Sequence, residues 1–458
     1  MVKDNSLETW KNQFRAVLKG PRALDEFCRL YGKFKQDNEK IQNWEAIQSP
    51  DLDHLKPYDS LPDPSFSESK AILSHIAVCK LNGGLGTSMG CKGPKSAIPV
   101  RENFSFLDLI VRQLVEINAR FDARIPLILM NSFYTHADME RLLSERHEGL
   151  KIHSMVQNRF PRLRVGDETP LPEAQYGLDA WYPPGHGDFF SCIVRDGLLD
   201  RLLAEGKEIV FVSNADNLGA VVDPRIAGFL LGSDIPLLIE MTPKTPADIK
   251  GGTLYQVGVQ LKLLEIARVP AQNLDEFCGQ TKFKVFNTNN VWVNLRHLKQ
   301  ALENGPLDLS VLVNRKRVEG VEVIQLETAI GSALECFERS RGITVSRERF
   351  LPVKTTDDLL LLQSDLFILQ GAFLKRNPGR QLPELPRIRL GDRFALLDDY
   401  LKRVPEPLSL LELESLEIEG DVRFEGEAIL KGRVRLIARE IPLRVPAGSV
   451  LDNQTLEQ

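Results

Sequence analysis

Apolar residues Phe14, Val17, Leu18, Leu24, Phe27, Leu30 and Phe34 recur at the spacing of one helix face, so the chain opens with helix. The Pro-, Asp- and Ser-rich stretch from Ser49 to Ser67 predicts irregular chain. Beyond about Ser74 the texture changes. Short apolar runs at Ile76–Leu81, Ile125–Met130, Glu208–Val212 and Pro236–Met241 predict strands, and Phe106–Ile117, Leu198–Leu203 and Leu359–Leu369 predict helices. Such alternation predicts an α/β fold, a mostly parallel sheet with helices on both faces. Ligands in these sheets bind at the carboxyl ends of the strands, so the residues that follow each strand matter most.

The tail has another period. In LEIEGDVRFEGEAILKGRVRL (416–436), Gly420, Gly426 and Gly432 fall six residues apart, and so do Ile418, Phe424, Leu430 and Leu436. That repeat predicts a C-terminal left-handed β-helix domain, with a pair of glycine-turn hairpins as the alternative. The three textures divide the chain into a helical N-terminal segment (1–74), an α/β domain (75–378) and the β-helix tail (379–458), in line with the two or three domains that 458 residues predict.

Composition narrows the function classes. With 43% hydrophobic and 26% charged residues the chain is neither disordered nor collagen-like. The net charge of -5 supplies no general field for a nucleic-acid backbone or an anionic membrane. The start, MVKDNSLETWKNQF, lacks the apolar core of a signal peptide, and no apolar run is long enough to span a bilayer. Six scattered cysteines without a C-x-x-C pair suit a reducing compartment, so a cytoplasmic location is expected.

The candidate chemistry follows the first strand, in LNGGLGTSMGCKGPKS (81–96). Five glycines let a ligand approach the backbone, and such loops cradle phosphate oxygens. Lys92 and Lys95 add positive charge. No Gly-Lys in the chain is followed by Ser or Thr, which excludes a Walker A loop. Met89 stands where a dinucleotide-binding motif needs its third glycine. Asp216 follows the strand before it in SNADN (213–217), where a carboxylate can hold Mg²⁺ or simply form an Asx turn. Lys354 precedes an apolar helix that Thr355, Thr356 or Asp357 can cap, beside an N-terminus that favours anions. His186 sits in the rigid PPGHGD loop (183–188), and Gln157 offers the donor and acceptor that a pyrimidine edge requires.

The glycine loop resembles the signature of the eukaryotic-type UTP–glucose-1-phosphate uridylyltransferases, or UDP-glucose pyrophosphorylases. So do LILMNSF (127–133), WYPPGHGD (181–188), FVSNADNLGA (211–220), KGGTL (250–254), FNTNN (286–290), VIQLETAIG (323–331) and RFLPVKTTDDLLL (349–361), in that order along nearly the whole chain. The resemblance implies a Rossmann-like, GT-A-like nucleotidyltransferase sheet and reversible, Mg²⁺-dependent transfer of a uridylyl group from UTP to glucose 1-phosphate. It further implies catalytic roles for Lys95 and Lys354 and a metal role for Asp216. Leu81, Asn82, Gly83, Gly84, Met130, Gln157, Gly185 and Asn214 match nucleotide-binding positions. His186 matches a sugar-phosphate contact, and Gly252, Glu265, Asn287 and Asn289 are the sugar candidates. A broad UDP-sugar pyrophosphorylase is the nearest alternative, and a non-catalytic nucleotide-sugar-binding scaffold is a more distant one. Some relatives assemble through the terminal region, so the tail is a candidate surface for self-association.

Overall fold

A computed structural model describes residues 4–36, 43–144, 149–245 and 251–458, which leaves Lys250 of the KGGTL motif outside. Eight strands build the central sheet: β1 (Leu55–Pro57), β2 (Ile76–Asn82), β3 (Leu127–Asn131), β4 (Ile152–Val156), β5 (Ile209–Asn214), β6 (Leu237–Pro243), β7 (Val285–Asn294) and β8 (Arg341–Thr344). Their spatial order is β1-β8-β6-β7-β5-β2-β3-β4, and only β7 runs antiparallel to its neighbours. The four strands read from apolar runs are β2, β3, β5 and β6. The edge strand β1, within the stretch expected to be irregular, is an addition that the pattern did not predict.

Alternation along these strands fills two cores at once. Ile76, Val78, Leu129 and Phe211 face one core, while Ala77, Cys79, Ile128 and Val212 face the other. Helices Phe106–Phe121 and Thr356–Gln363 cover the first face; Phe189–Arg195, Leu198–Ala204 and Leu295–Glu303 cover the second. Ser105 and Asp108 form a capping box that starts the Phe106 helix. The helix expected over Leu359–Leu369 is shorter. It stops at Gln363, where Arg101 donates to the carbonyls of Leu362 and Gln363, and Phe367–Gln370 instead pairs with Phe373–Arg376.

Helices Asp4–Phe14 and Pro21–Gln36 bring Phe14, Leu24 and Phe27 against Phe160, Tyr182 and Val323, next to the hairpin Val311–Val318/Val321–Thr328. At the other end of the chain the strands pair in parallel. Ile418 is in register with Leu436, Leu436 with Leu456, and Val422 with Leu443. Gly420 and Gly432 adopt positive φ, whereas Gly426 leaves room for Ala447, 2.8 Å from where a side-chain carbon would stand. Among the described residues no helix is long and apolar enough to cross a membrane.

Candidate active site

Strand register decides what meets at the end of the sheet. Leu81 on β2 stands beside both Met130 on β3 and Asn214 on β5. The three segments that follow leave the sheet together, and a cavity of about 800 Å³ opens among them. Leu81, Asn82, Gly83, Gly84, Met130, Gln157, Gly185 and Asn214 all line it, with Lys95, His186 and Asp216.

Gln157 is held for its position twice over. Its backbone N–H donates to Asn131 O at 2.8 Å and its Nε2 to Gly185 O at 2.7 Å. That leaves Oε1 next to Gly83, where any side chain would displace it. Asn82 borders the cavity, but its amide is spent on Asn131 Oδ1 at 2.8 Å. Within the glycine loop, Gly86 and Gly90 take the left-handed conformation on either side of the turn Thr87–Met89, and Met89 anchors that turn in the core. Lys92 does not join the site. Its side chain is 88% exposed and pairs with Asp398 at 3.1 Å, because the segment before helix Leu397–Arg403 packs against Gly90 through Leu396.

Lys95 Nζ meets Asp216 Oδ2 at 2.5 Å, with both side chains largely buried. Asp216 Oδ1 is buried too and has no hydrogen-bond partner. Asp216 lines the cavity, and a carboxylate there with one unpaired oxygen fits a divalent cation. Among the described residues no group of three or more His, Cys, Asp or Glu surrounds it. That donor set suits Mg²⁺, which keeps waters and takes its remaining ligands from substrate phosphates.

His186 comes from a loop pressed onto Thr328, whose N–H donates to Pro184 O. Gly185 has φ +84°, and a side chain there would strike the Thr328 backbone. Burial pushes the His186 imidazole down to about 4. Nδ1 accepts the Ile330 N–H at 3.0 Å, so the ring is neutral and carries its proton on Nε2, as a donor.

The sugar candidates form an adjoining cluster outside the cavity lining. Asn287 N–H donates to Gly252 O at 2.8 Å, and the Glu265 carboxylate lies against Gly252. Asn289, at φ +60°, donates to Asn214 Oδ1 at 2.9 Å and so joins this cluster to the cavity. Burial raises the Glu265 carboxyl, and the nearby Lys354 charge opposes that. Lys354 is exposed, and its carbonyl accepts a hydrogen bond from Ser88 of the glycine loop at 3.3 Å. Thr355 is the N-cap of the helix behind it. Asp358 takes the Lys354 and Thr355 N–H groups at 2.7 and 2.9 Å, so these two N–H groups of the helix N-terminus are already spent, and Lys354 itself is not among the residues that line the cavity.

Several residues here were missed by pattern. An outer arm of the cavity is lined by Tyr134, Arg162, Lys316 and Arg317, and the charge run Arg315-Lys-Arg317 between two apolar segments was its only signal. Lys80 and Glu240 are buried in the central sheet, each a charged residue inside a mostly apolar strand.

Fold and cavity together define a protein of the class in which a glycine loop, a lysine and a carboxylate meet at the carboxyl end of a mostly parallel sheet, an arrangement suited to phosphate groups. The sequence profile described as UTP–glucose-1-phosphate uridylyltransferase matches residues 24–431. Proteins of that name from Pyrus pyrifolia and Solanum tuberosum are 48% and 44% identical, over 94% and 97% of this chain and 93% and 96% of theirs. A point mutant of the UDP-glucose pyrophosphorylase of Leishmania major, solved with UDP-glucose, superposes with a TM-score of 0.89 at 28% identity over the full length of both chains. A Trypanosoma brucei structure titled UDP-glucose phosphorylase gives 0.87 at 32% identity, over 99% of this chain and 100% of that one. The chain belongs to the UTP–glucose-1-phosphate uridylyltransferase family.

Proposed function

We propose that the chain catalyses UTP + glucose 1-phosphate ⇌ UDP-glucose + pyrophosphate by one in-line displacement. A phosphate oxygen of glucose 1-phosphate forms a bond to the α-phosphorus of UTP as the bond to the β-phosphate bridging oxygen breaks. The observation that carries this reading is the Lys95–Asp216 pair facing the glycine loop, with one Asp216 oxygen unpartnered. The nucleophile is already largely anionic at neutral pH, so no general base is needed. Catalysis then rests on positioning two polyanions and on offsetting charge at phosphorus.

Lys95 meets the leaving pyrophosphate, and Lys354, entering from the sugar side, meets the phosphate of glucose 1-phosphate. His186 donates from Nε2 to that phosphate without adding charge. Gln157 reads the uracil edge, while Glu265, Asn287 and Asn289 hold the glucose hydroxyls. Asp216 would hold Mg²⁺, which would supply positive charge to offset that of the substrate phosphates. One phosphoanhydride replaces another, so the reaction is reversible.

The parallel pairs at the C-terminus support a left-handed β-helix there and a division near residue 379, whereas Leu55–Pro57 joins the central sheet, so the segment before residue 75 is packed into the α/β part. Ile429 and Val450, exposed register partners in that region, are the surface on which self-association would be tested by native mass. Six unpaired cysteines support a cytoplasmic setting. The direct test of the reaction is pyrophosphate release from UTP and Mg²⁺ across a panel of sugar 1-phosphates. Release with glucose 1-phosphate in clear preference to its epimers supports the reading; equal rates across the panel favour a broad UDP-sugar enzyme, and none with glucose 1-phosphate refutes it.

A further inference from the structure

Glu240 is fully buried on β6 and lines no part of the cavity. The strand opposite bulges at this residue. Ile239 pairs with Val291 and Met241 with Asn287, so Thr288, Asn289 and Asn290 all stand across from Glu240 alone. Such bulges re-aim side chains next to active sites, and here the bulge contains the left-handed Asn289. Glu240 holds it at both ends of the residue: its carbonyl accepts Thr288 Oγ1 at 2.7 Å and its carboxylate accepts Asn290 Nδ2 at 2.9 Å. Trp292 Nε1 donates to the same carboxylate at 2.8 Å.

The other partner is Arg349. Its Nε and Nη2 grip the two Glu240 oxygens at 2.8 and 2.6 Å, a fork that fixes direction as well as distance. Arg349 lies five residues before Lys354, and its carbonyl accepts both Asn290 Nδ2 at 3.3 Å and Asn217 Nδ2 at 3.1 Å. Asn217 follows Asp216, and its Oδ1 accepts the Leu351 N–H at 2.8 Å, which forms a bridge onto Pro352. Gly219 permits the close approach, since a side chain there would strike the backbone of Glu348 and Arg349.

We propose that Glu240 is a positioning residue: through Arg349, Asn217 and Asn290 it sets the Lys354 segment, the Asp216 loop and the Asn287–Asn289 bulge against one another. It touches no substrate. This rests on the roles given above to Lys354 and Asp216. Gln157, by contrast, takes its place from Asn131 on β3 and from Gly185, without contact with Glu240, and the glycine loop meets the Glu240-held segments through Ser88 and Lys95.

The split can be measured. Glu240→Asp keeps the buried charge opposite Arg349 but is one methylene too short to maintain both arms of the fork. Asn217→Ala cuts the Asp216–Arg349 connection without touching any charge. Each variant is assayed for kcat, for KM of UTP and of glucose 1-phosphate, and for melting temperature, with Lys354→Ala alongside. Positioning predicts a fall in kcat of roughly 10- to 100-fold per folded molecule, as expected for misplacement by about an ångström, with KM for UTP within about three-fold of wild type. A structural role alone predicts that melting falls while the kcat of the folded fraction is unchanged; that result in both variants overturns the proposal while Lys354→Ala remains inactive. If Glu240→Asp does not fold, Asn217→Ala decides by the same measure. Wild-type turnover in Lys354→Ala would instead remove the reading on which the proposal rests.

Discussion

Lys80 makes the fold's stability depend on pH in a direction opposite to that of a lysine held in an ordinary ion pair. Its side chain is buried in the centre of the sheet, where Nζ donates to Ser213 Oγ and Ala220 O at 2.8 Å each and stands 5.8 Å above the Phe211 ring. Desolvation, with Arg349 nearby, pushes its ammonium down to about 7, against weaker opposing pulls from Cys79, Glu240 and Asp216. An unfolded lysine titrates near 10.4. Between about pH 7 and 10 the unfolded chain therefore binds a proton that the folded chain does not, and stability rises with pH. The slope from this one group approaches about 1.4 kcal/mol per pH unit. Comparing wild type with Lys80→Met cancels the other titrating groups. The wild type should gain on the variant by about 2–3 kcal/mol between pH 7 and pH 9, a melting difference of about 2–3 °C for a chain of this size. Parallel thermal melts at pH 7, 8 and 9 read it. A melting difference between the two proteins that does not change over that range would refute the argument, because it would mean that Lys80 stays charged in the fold.

Other perturbations have equally definite outcomes. Asp216→Asn should lower kcat at least 100-fold and raise the Mg²⁺ concentration needed for half-maximal rate, read by a metal titration of pyrophosphate release. Gly83→Ala should displace Gln157 and raise KM for UTP more than KM for glucose 1-phosphate, read by initial rates against each substrate. Because His186 titrates near 4, His186→Gln should slow turnover without moving any limb of the pH–rate profile between pH 6 and 8. Lys92→Ala should leave kcat within about two-fold and stability within about 0.5 kcal/mol, since an exposed pair contributes little.

Much of this was legible from the chain because the sheet and the site obey the same local rule. Strands β2, β3 and β5 are largely apolar runs, and each carries cavity-lining residues at its carboxyl end. Finding the strands therefore placed Leu81, Met130 and Asn214 at one edge. What stayed hidden depends on partners far along the chain. Lys92 turns away from the cavity because a segment three hundred residues later packs on Gly90. The helix at Thr356 ends early because Arg101, from another loop, caps its last carbonyls. Lys80 and Glu240 were visible as charges in apolar strands, but nothing local to either names Ser213 or Arg349 as its partner.

The central claim is transfer of a uridylyl group onto glucose 1-phosphate, and ³¹P NMR of the reaction mixture tests it most directly. With UTP, glucose 1-phosphate and Mg²⁺, the account predicts UDP-glucose and pyrophosphate appearing in equal amounts, with added pyrophosphate driving the signals back to UTP. Unchanged spectra, or UTP consumed without UDP-glucose, would contradict it.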